Sequence, residues 1–465
     1  MNAKWFDNVR SKGNYFFSLI GTARLRRNAL QAIPFWVASI FTGLVAVAYT
    51  RLFALAEHGL QYALGINPLL LFIISPVCFF SAYFVVQRFA PNARGSGIPQ
   101  VMAAIELATT KNDHQIKKLL SLRIILTKIG SSLLMVMGGG AIGREGPTIQ
   151  MAGSIFRLVD KCVPRSWPKL SKQSFILTGA AAGLAAAFNT PLGGVVFAME
   201  ELAKIHIRFF RTALFSAVII AGLTAQGLLG PYLYLGYPDV SDLKFTVFFA
   251  VALTAIIAGL TGGLMCRAIL IIMKWKKAFN KRQTIFFVIG TGLLIATTAY
   301  FINVNILGSG KEIMNTTLFG RQKYVGWDTV LMRILGPVLC FNTGAAGGVF
   351  APALAAGASV GACLSGLFHF AGSNANILIL SGMVGFLTGV TRTPFTSAIL
   401  VLEMTDRHNV IFHLLLAALV SNLAALVVDR HSFYEQLKES YMPGNENNEN
   451  KAPRSPETIG GGRSV

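Results

Sequence analysis

Charged residues are scarce in this sequence. Only 13% of its 465 residues are charged, whereas 53% are hydrophobic, and the mean hydropathy is +0.57. A chain of this composition has too few charges to cover the surface of a soluble globule of its size. The scarcity of charge therefore argues against a soluble protein and predicts an integral membrane protein.

Acidic side chains are scarcer than basic ones, with 20 Asp and Glu against 41 Lys and Arg, so the formal net charge is +21. The basic residues sit in short connections between apolar runs rather than in one patch, which is typical of cytoplasmic loops that obey the positive-inside rule. We therefore expect no nucleic-acid partner, and we expect both termini on the cytoplasmic side. The basic connections contain Arg24, Arg26 and Arg27, then Lys161, Arg165, Lys169 and Lys172, then Lys274, Lys276, Lys277, Lys281 and Arg282.

Cysteine and histidine are too few and too scattered to build a disulfide framework or a metal site. The five cysteines stand singly without a CxxC spacing, and the seven histidines form no HExxH pattern. A Walker-type loop and a GxSxG elbow are also missing from the sequence. The sequence therefore predicts no metal, no cofactor and no enzymatic activity. The cysteines are Cys78, Cys162, Cys266, Cys340 and Cys363.

Apolar runs of membrane-spanning length recur along the whole chain. A helix of about 20 residues spans the hydrocarbon core, and it satisfies its own backbone hydrogen bonds there. The runs therefore predict an all-α, polytopic helical bundle. They lie near residues 34–56, 68–86, 124–142, 174–199, 213–233, 245–273, 284–303, 349–370, 376–402 and 410–428.

The two halves of the chain share a repeat. The segment TGAAAGLAAAFNTPLGGVVFAMEEL, which starts at Thr178, aligns without gaps with SGMVGFLTGVTRTPFTSAILVLEMT, which starts at Ser381. Both contain a Thr-Pro step that is followed nine residues later by an acid. Upstream, GREGPTIQMAGS from Gly143 aligns with GVFAPALAAGAS from Gly348 at nearly the same offset. The identities in the longer pair are Gly179/Gly382, Leu184/Leu387, Thr190/Thr393, Pro191/Pro394 and Glu200/Glu403.

This duplication predicts one transmembrane domain over residues 31–442, made of two repeat halves at approximately 31–205 and 245–428. In transporters with such duplications, the substrate site lies at the interface of the repeats near the middle of the bilayer. We expect residues 1–30 to form a cytoplasmic segment with a first helix. Residues 443–465 are polar and low in complexity, and we expect a disordered tail there.

Proline and glycine interrupt the apolar runs at corresponding places in the two halves. Proline is tolerated at a helix start because its missing N–H would have no intrahelical acceptor there. These positions therefore predict helices that begin inside the membrane, where unpaired N–H groups and the positive end of the helix dipole form an anion site. The three Gly-rich turns that lead into such starts are Gly95-Ser96-Gly97-Ile98-Pro99, Gly143-Arg144-Glu145-Gly146-Pro147 and Gly348-Val349-Phe350-Ala351-Pro352.

Glu145 lies at one of these helix starts. A carboxylate within a membrane is costly unless it has a function. The ionised side chain would occupy the same N–H-lined site as a free anion, whereas the protonated side chain would lose its attraction to that site and swing away. Proton binding would thereby be coupled to anion movement. The alternative is that Glu145 only caps its helix or pairs with Arg144, and Arg144 itself either orients the loop or attracts anions at the mouth.

The motifs GSGIP, GREGP and GxFxP occur in this order, and the chain over about residues 30–440 resembles the CLC family of chloride channels and chloride/proton antiporters. The resemblance implies two inverted halves of tilted and broken helices, and a homodimer with one anion pathway in each subunit. It also implies that Ser96, the backbone N–H groups of Val349 and Phe350, and the hydroxyl of Tyr434 bind chloride. By position alone, Tyr434 would instead be an aromatic residue at the membrane interface.

Two adjacent acids, Glu200 and Glu201, end the apolar run that continues from Pro191. By position alone they would be a solvated helix end. The resemblance implies that Glu201 is the internal proton-transfer residue, which antiporters of the family keep and channels generally lack, and that Glu145 is the gating and external proton-transfer residue. Glu200 pairs in the repeat with Glu403, which indicates a structural role in both halves.

Together these features predict a secondary transporter that exchanges chloride for protons. The alternatives are a passive voltage- or pH-gated chloride channel of the same family and, more remotely, an organic-anion symporter with broken helices. Serine at position 96 favours chloride, because family members with proline there favour nitrate. No long segment follows the last apolar run, so the resemblance implies a prokaryotic-type member in the inner membrane, without appended cytoplasmic domains.

Overall fold

The first half of the chain folds into helices that differ widely in length. The computed structural model describes residues 23–109, 112–164, 166–168, 170–202, 211–230, 233–241 and 246–442. The predicted tail 443–465, most of the predicted segment 1–30, and the basic residues Arg165 and Lys169 lie outside the described residues. The helices of the first half are α1 (Ala23–Ile66), α2 (Leu71–Phe89), α3 (Ile98–Leu107), α4 (Asp113–Leu119), α5 (Leu122–Met137), α6 (Glu145–Cys162), α7 (Lys172–Phe188), α8 (Pro191–Phe197) with a π-helical turn at Ala198–Leu202, and α9 (Arg211–Leu229).

The second half repeats this helical organisation. Within the described residues, nine helical segments are long and apolar enough to cross a membrane. The predicted all-α, multi-pass membrane fold is therefore confirmed. The helices of the second half are α10 (Val247–Lys276), α11 (Lys281–Phe301), α12 (Lys311–Phe319), α13 (Trp327–Phe341), α14 (Phe350–Leu367), α15 (Gly372–Thr391), α16 (Pro394–Thr405), α17 (Ile411–Val428) and α18 (Phe433–Glu439).

Two of the predicted apolar runs are each broken into two helices. In both breaks the first helix ends at a residue with left-handed backbone, Asn189 at φ 58° and Arg392 at φ 62°, and the next helix begins at Pro191 or Pro394. A left-handed residue ends a helix, and proline cannot continue one because it lacks an N–H and clashes with the preceding turn. The predicted interruption of both runs, with helix starts at Pro191 and Pro394, is confirmed. The broken runs are 174–199 and 376–402.

The two halves run in opposite directions. The carboxylate of Glu200, just after α8, accepts hydrogen bonds from the backbone N–H groups of the second and third residues of α16 at 3.2 and 2.7 Å. The carboxylate of Glu403, near the end of α16, accepts them from the second and third residues of α8 at 3.1 and 2.8 Å. Each helix ends beside the start of its repeat partner, so α8 and α16 are antiparallel. The predicted inversion of the halves and the shared structural role of Glu200 and Glu403 are confirmed.

The most buried part of the bundle is the packing of α14 against α15. A Cβ atom at Gly357 would collide with the backbone oxygen of Gly382, and a Cβ atom at Gly361 would collide with that of Leu378. Small residues allow helix backbones to approach closely, which is how helices associate in lipid. The corresponding first-half helices, α6 and α7, also pack on each other. This close packing supports the start of α14 at a fixed position in the interior.

Candidate functional site

The three Gly-rich turns meet in the interior and are tied together by backbone hydrogen bonds. Gly143 and Gly348 exchange two of them, with N···O distances of 2.7 and 2.9 Å. Gly95 donates to Ala345 at 2.8 Å and accepts from Gly347 at 3.1 Å. The reciprocal pair links the two repeat halves at equivalent positions. The starts of α3, α6 and α14 are thereby held around one place in the bundle.

These turns require glycine for two reasons: the backbone conformation, and the lack of space for a side chain. Gly97, which caps the start of α3, has a φ of 106°, a conformation that other residues rarely adopt. At Gly146 a Cβ atom would collide with the Ser96 hydroxyl. The side chain of Ser96 therefore reaches directly to the backbone at the start of α6.

Glu145 is the first residue of α6, and only 1% of its surface is exposed. Its carboxylate is directed at the backbone amides of Glu145 itself and of Ala351, the second residue of α14. Oε2 makes no hydrogen bond of acceptable geometry with another described atom. Because the start of a helix attracts negative charge, the carboxylate lies where a free anion would also be stabilised.

Arg144 forms an ion pair with this carboxylate, as the sequence alternative supposed. Its Nε lies 3.9 Å from Oε1 of Glu145, which is too long for a hydrogen bond. The side chain is largely buried, and its Nη2 donates to the backbone oxygen of Ala187 at 3.5 Å. Arg144 therefore contacts the end of α7 and lies beside Glu145 without being hydrogen-bonded to it.

Ser96 and Tyr434 are both buried, with 1% and 0% of their surfaces exposed. Their hydroxyl groups face each other, but neither oxygen has a hydrogen bond of acceptable geometry within the described chain. Buried hydroxyls normally have partners. Two such donors side by side suit an anionic ligand, which accepts hydrogen bonds and needs no buried cation to hold it.

Val349 and Phe350 lie at the start of α14 and are buried. Their N–H groups are among the donors that a helix start leaves without an intrahelical acceptor. The preceding residue, Gly348, lies against the start of α6, because a Cβ atom there would be 3.3 Å from the backbone nitrogen of Gly146. The structure therefore brings together Ser96, Glu145, Val349, Phe350 and Tyr434, the residues that the motifs and the family resemblance indicated.

Glu201 lies in the π-helical turn and is half-buried. It is not among the residues of the three Gly-rich turns. The solvated helix end considered for the acid pair is wrong for Glu200, which is hydrogen-bonded to α16.

Lys128 is a residue of the site that the sequence analysis missed. It is fully buried in α5, and its Nζ donates to the backbone oxygens of Ala93 and Gly95 at 2.9 and 2.8 Å. These contacts hold the turn that carries Ser96. The signal was present in the sequence, because a lysine within an apolar run is by default a candidate functional residue.

We expect Lys128→Met to weaken chloride binding roughly tenfold, since two buried carbonyl oxygens would lose their donor at about 1–3 kcal/mol each and the turn beside Ser96 would loosen. Calorimetric titration of the purified protein with chloride measures the effect. Lys274→Met is the matched control, because Lys274 is exposed on α10. Equal affinities of Lys128→Met and the unmodified protein would contradict the positioning role of Lys128.

A cavity of about 660 Å³ extends from Ser96 toward the basic connection between α10 and α11. Arg94, Lys276 and Lys277 line it, and its lining residues include no carboxylate. The Nζ of Lys276 donates to the backbone oxygen of Asn342. The cavity therefore places positively charged side chains between Ser96 and this basic connection.

A multi-pass membrane bundle that directs two helix starts, two buried hydroxyls and a carboxylate at one interior point defines a membrane anion-transport protein. Consistent with this class, the family model described as "voltage gated chloride channel" matches residues 77–426. The chain belongs to this family, the CLC family, and the resemblance carried by its three motifs is confirmed.

Relatives match the chain along most of its length. It is 30% identical over 421 residues to the H(+)/Cl(-) exchange transporter ClcA of Yersinia pestis, which covers 86% of this chain and 85% of that protein. It is 29% identical over 425 residues to the protein of the same name from Citrobacter koseri, with 86% of each covered.

Solved structures show the same fold. A slow cyanobacterial Cl−/H+ antiporter matches with a TM-score of 0.76 at 24% identity, over 89% of this chain and 98% of that chain. A CLC-type fluoride/proton antiporter matches with a TM-score of 0.72 at 20% identity, over the same shares.

Proposed function

We propose that the protein exchanges chloride for protons across the membrane. The observation that carries the proposal is the position of Glu145, whose carboxylate is directed at the start of α14 where an anion would be stabilised. The names of the bacterial relatives, which are H(+)/Cl(-) exchange transporters, support it.

In the proposed mechanism, Glu145 and chloride compete for one site. The ionised carboxylate occupies the start of α14 and blocks chloride. Protonation removes its charge, so the side chain leaves and chloride binds to the freed N–H groups. When chloride has left toward the side from which the proton came, the carboxylate releases its proton toward the opposite side and returns, so one cycle moves the two ions in opposite directions.

Chloride is bound in this proposal by uncharged donors. They are the Ser96 and Tyr434 hydroxyls and the backbone N–H groups of Val349 and Phe350. Uncharged donors allow release, whereas a lysine or arginine in direct contact would hold the anion too tightly for transport. The basic side chains line the large cavity and are not among these chloride ligands. In the cavity they raise the local anion concentration.

Glu201 carries protons between the cytoplasmic side and the interior in this proposal. Its half-buried position gives it access to water. Protons and chloride would thus share the outer part of the pathway at Glu145 and separate on the inner side.

The proposed assembly is a homodimer in the inner membrane of a prokaryote, with both termini in the cytoplasm and each subunit formed by the domain 31–442 with its repeat halves 31–205 and 245–428. The bacterial sources of the relatives and the basic connections support the location and orientation. Exposed apolar side chains on α9 and α17 would contact lipid or the second subunit. They include Phe215, Ile219, Leu223, Leu419 and Leu423.

The decisive experiment for the proposed function is uphill proton transport. We expect proteoliposomes that are loaded with high chloride and diluted into low chloride to acidify inside, because outward chloride movement would drive protons inward against their gradient. An external pH electrode measures the uptake, and protein-free vesicles are the control. Chloride loss without any proton uptake would identify a passive channel instead.

A further inference from the structure

A second cavity, of about 190 Å³, lies where α4 begins, α6 ends and α7 begins. None of its lining residues lines the large cavity or belongs to the proposed chloride site. Arg157, which lines it, is twelve residues beyond Glu145 on α6. With a rise of about 1.5 Å per residue, the cavity is about 18 Å from the gate along this helix. It is therefore distinct from the anion pathway.

Three cations of this cavity share one carboxylate. Arg157, Lys161 and Lys172 lie 3.4, 3.7 and 3.2 Å from the carboxylate oxygens of Asp113. A charge-assisted hydrogen bond to a carboxylate is about 2.7–2.9 Å long, so Asp113 satisfies none of the three cations at close range. Asp160 is the other acid of the lining. Because three cations line the cavity with two acids, it has an excess of positive charge and suits a further anion.

Arg157 is the buried charge of the cavity, with 5% of its side chain exposed. Its Nη1 donates to the backbone oxygen of Leu120 at 3.1 Å, whereas its Nε has no hydrogen bond with another described residue. A buried cation is costly unless it is paired and hydrogen-bonded. An additional anion in the cavity would therefore stabilise this guanidinium. Lys161 and Lys172 are exposed and form the rim.

The cavity lies at the level of the membrane surface. Asp113 begins a segment that is long and apolar enough to cross a membrane. Lys161 and Lys172 flank a basic connection that the positive-inside rule assigns to the cytoplasm. Trp167 in this connection is half-buried, and tryptophan is enriched where lipid meets water. Phe175 lines the cavity beside the cations, so an apolar wall adjoins the charged rim.

We propose that this cavity binds the phosphate group of an anionic phospholipid from the cytoplasmic leaflet. Lys161 and Lys172 hold the phosphate at the rim, and Arg157 supplies the buried charge. Basic pockets between membrane-spanning helices on the cytoplasmic side bind such headgroups. The cavity is smaller than the about 300–1,000 Å³ of a pocket for a drug-sized ligand, so it suits a single headgroup. The proposal does not depend on the exchange of chloride for protons.

The test measures how much radiolabelled phosphatidylglycerol the full-length protein retains when it is immobilised in a non-ionic detergent. Binding should saturate, and phosphatidylcholine with the same acyl chains should bind at least about tenfold more weakly, because its headgroup has no net charge. We expect Lys161→Gln/Lys172→Gln to weaken phosphatidylglycerol binding roughly thirtyfold, the factor for two lysines beside an anionic lipid. Exposed ion pairs contribute little to stability, so this variant should fold.

The matched control is Lys117→Gln/Lys118→Gln. It removes the same charge from two exposed lysines of α4 that do not line the cavity, and it should weaken binding by no more than about threefold. Equal weakening by both pairs of substitutions would overturn the proposal, because binding would then follow the total surface charge. Equal retention of phosphatidylglycerol and phosphatidylcholine by the unmodified protein would overturn it too.

Asp113→Asn should have the opposite effect. It removes the carboxylate that competes with the phosphate for three cations, so the affinity for phosphatidylglycerol should rise severalfold. Misfolding does not produce such a gain. An unchanged or lower affinity of Asp113→Asn would contradict a phosphate site at these cations.

Inorganic phosphate distinguishes a lipid headgroup from a soluble phosphate. At equal concentration it should displace little of the bound phosphatidylglycerol, because it has no acyl chain to contact the apolar wall at Phe175. Displacement as effective as that by unlabelled phosphatidylglycerol would mean that the cavity takes soluble phosphate, and the lipid assignment would be wrong. None of these measurements involves proton or chloride flux, so this proposal and the proposed function fail or stand separately.

Discussion

Glu145→Gln should abolish proton transport while chloride still crosses the membrane. Glutamine resembles protonated glutamate in size and polarity, so it cannot exchange a proton and has no charge to compete with chloride at the start of α14. We expect proton flux to fall by roughly two orders of magnitude or more, which is the range for removal of a positioned acid–base group. Chloride flux should also become independent of external pH, which is measured by chloride efflux from proteoliposomes between acidic and neutral pH.

The matched control for this variant is Glu312→Gln, since Glu312 is an exposed glutamate in the first turn of α12. It should transport both ions as the unmodified protein does. Uphill proton pumping by Glu145→Gln would refute the role of Glu145 as the gate, even if the pH dependence of chloride flux were lost.

Glu201→Gln should separate the two ions in another way. Chloride movement should continue, because Glu201 is not among the groups that meet at the Gly-rich turns, but proton flux should fall by a similar roughly hundredfold factor since the inner carrier is missing. Glu145 can still titrate in this variant. Chloride flux should therefore keep its dependence on external pH, which distinguishes Glu201→Gln from Glu145→Gln in the same assay.

Normal coupling in Glu201→Gln would show that water or another group carries the inner proton. Loss of chloride movement in this variant would place Glu201 in the anion pathway instead. Either result would contradict a proton path that separates from the chloride path on the cytoplasmic side.

Much of the fold was predictable because the signals are local. Pro191 and Pro394 lack an N–H wherever they stand, so each had to begin a helix or break one. The Gly-rich segments were predictable as turns because glycine adopts backbone conformations that other residues rarely adopt. Gly97, with its left-handed backbone, is an example. The repeat then predicted that the two halves have related folds, but it did not predict the lengths of individual helices.

The helix breaks also show the limit of apolar periodicity. Hydropathy measures only preference for lipid, and it does not distinguish one spanning helix from two short helices that share an apolar run. The apolar runs 174–199 and 376–402 each contain the Thr-Pro step that divides them. Hydropathy alone does not detect this division, because both short helices of each run are apolar.

By itself, the sequence determined that this protein lies in a membrane, has two related halves and begins helices at three Gly-rich turns, because composition, proline and glycine act within a few residues. Only the tertiary structure decided that Gly143 bonds to Gly348, that Lys128 holds the turn before Ser96, and that Glu200 points to α16. These contacts join residues that lie far apart in the chain, and the direction of a side chain across a bundle depends on the packing of whole helices rather than on its neighbours in sequence.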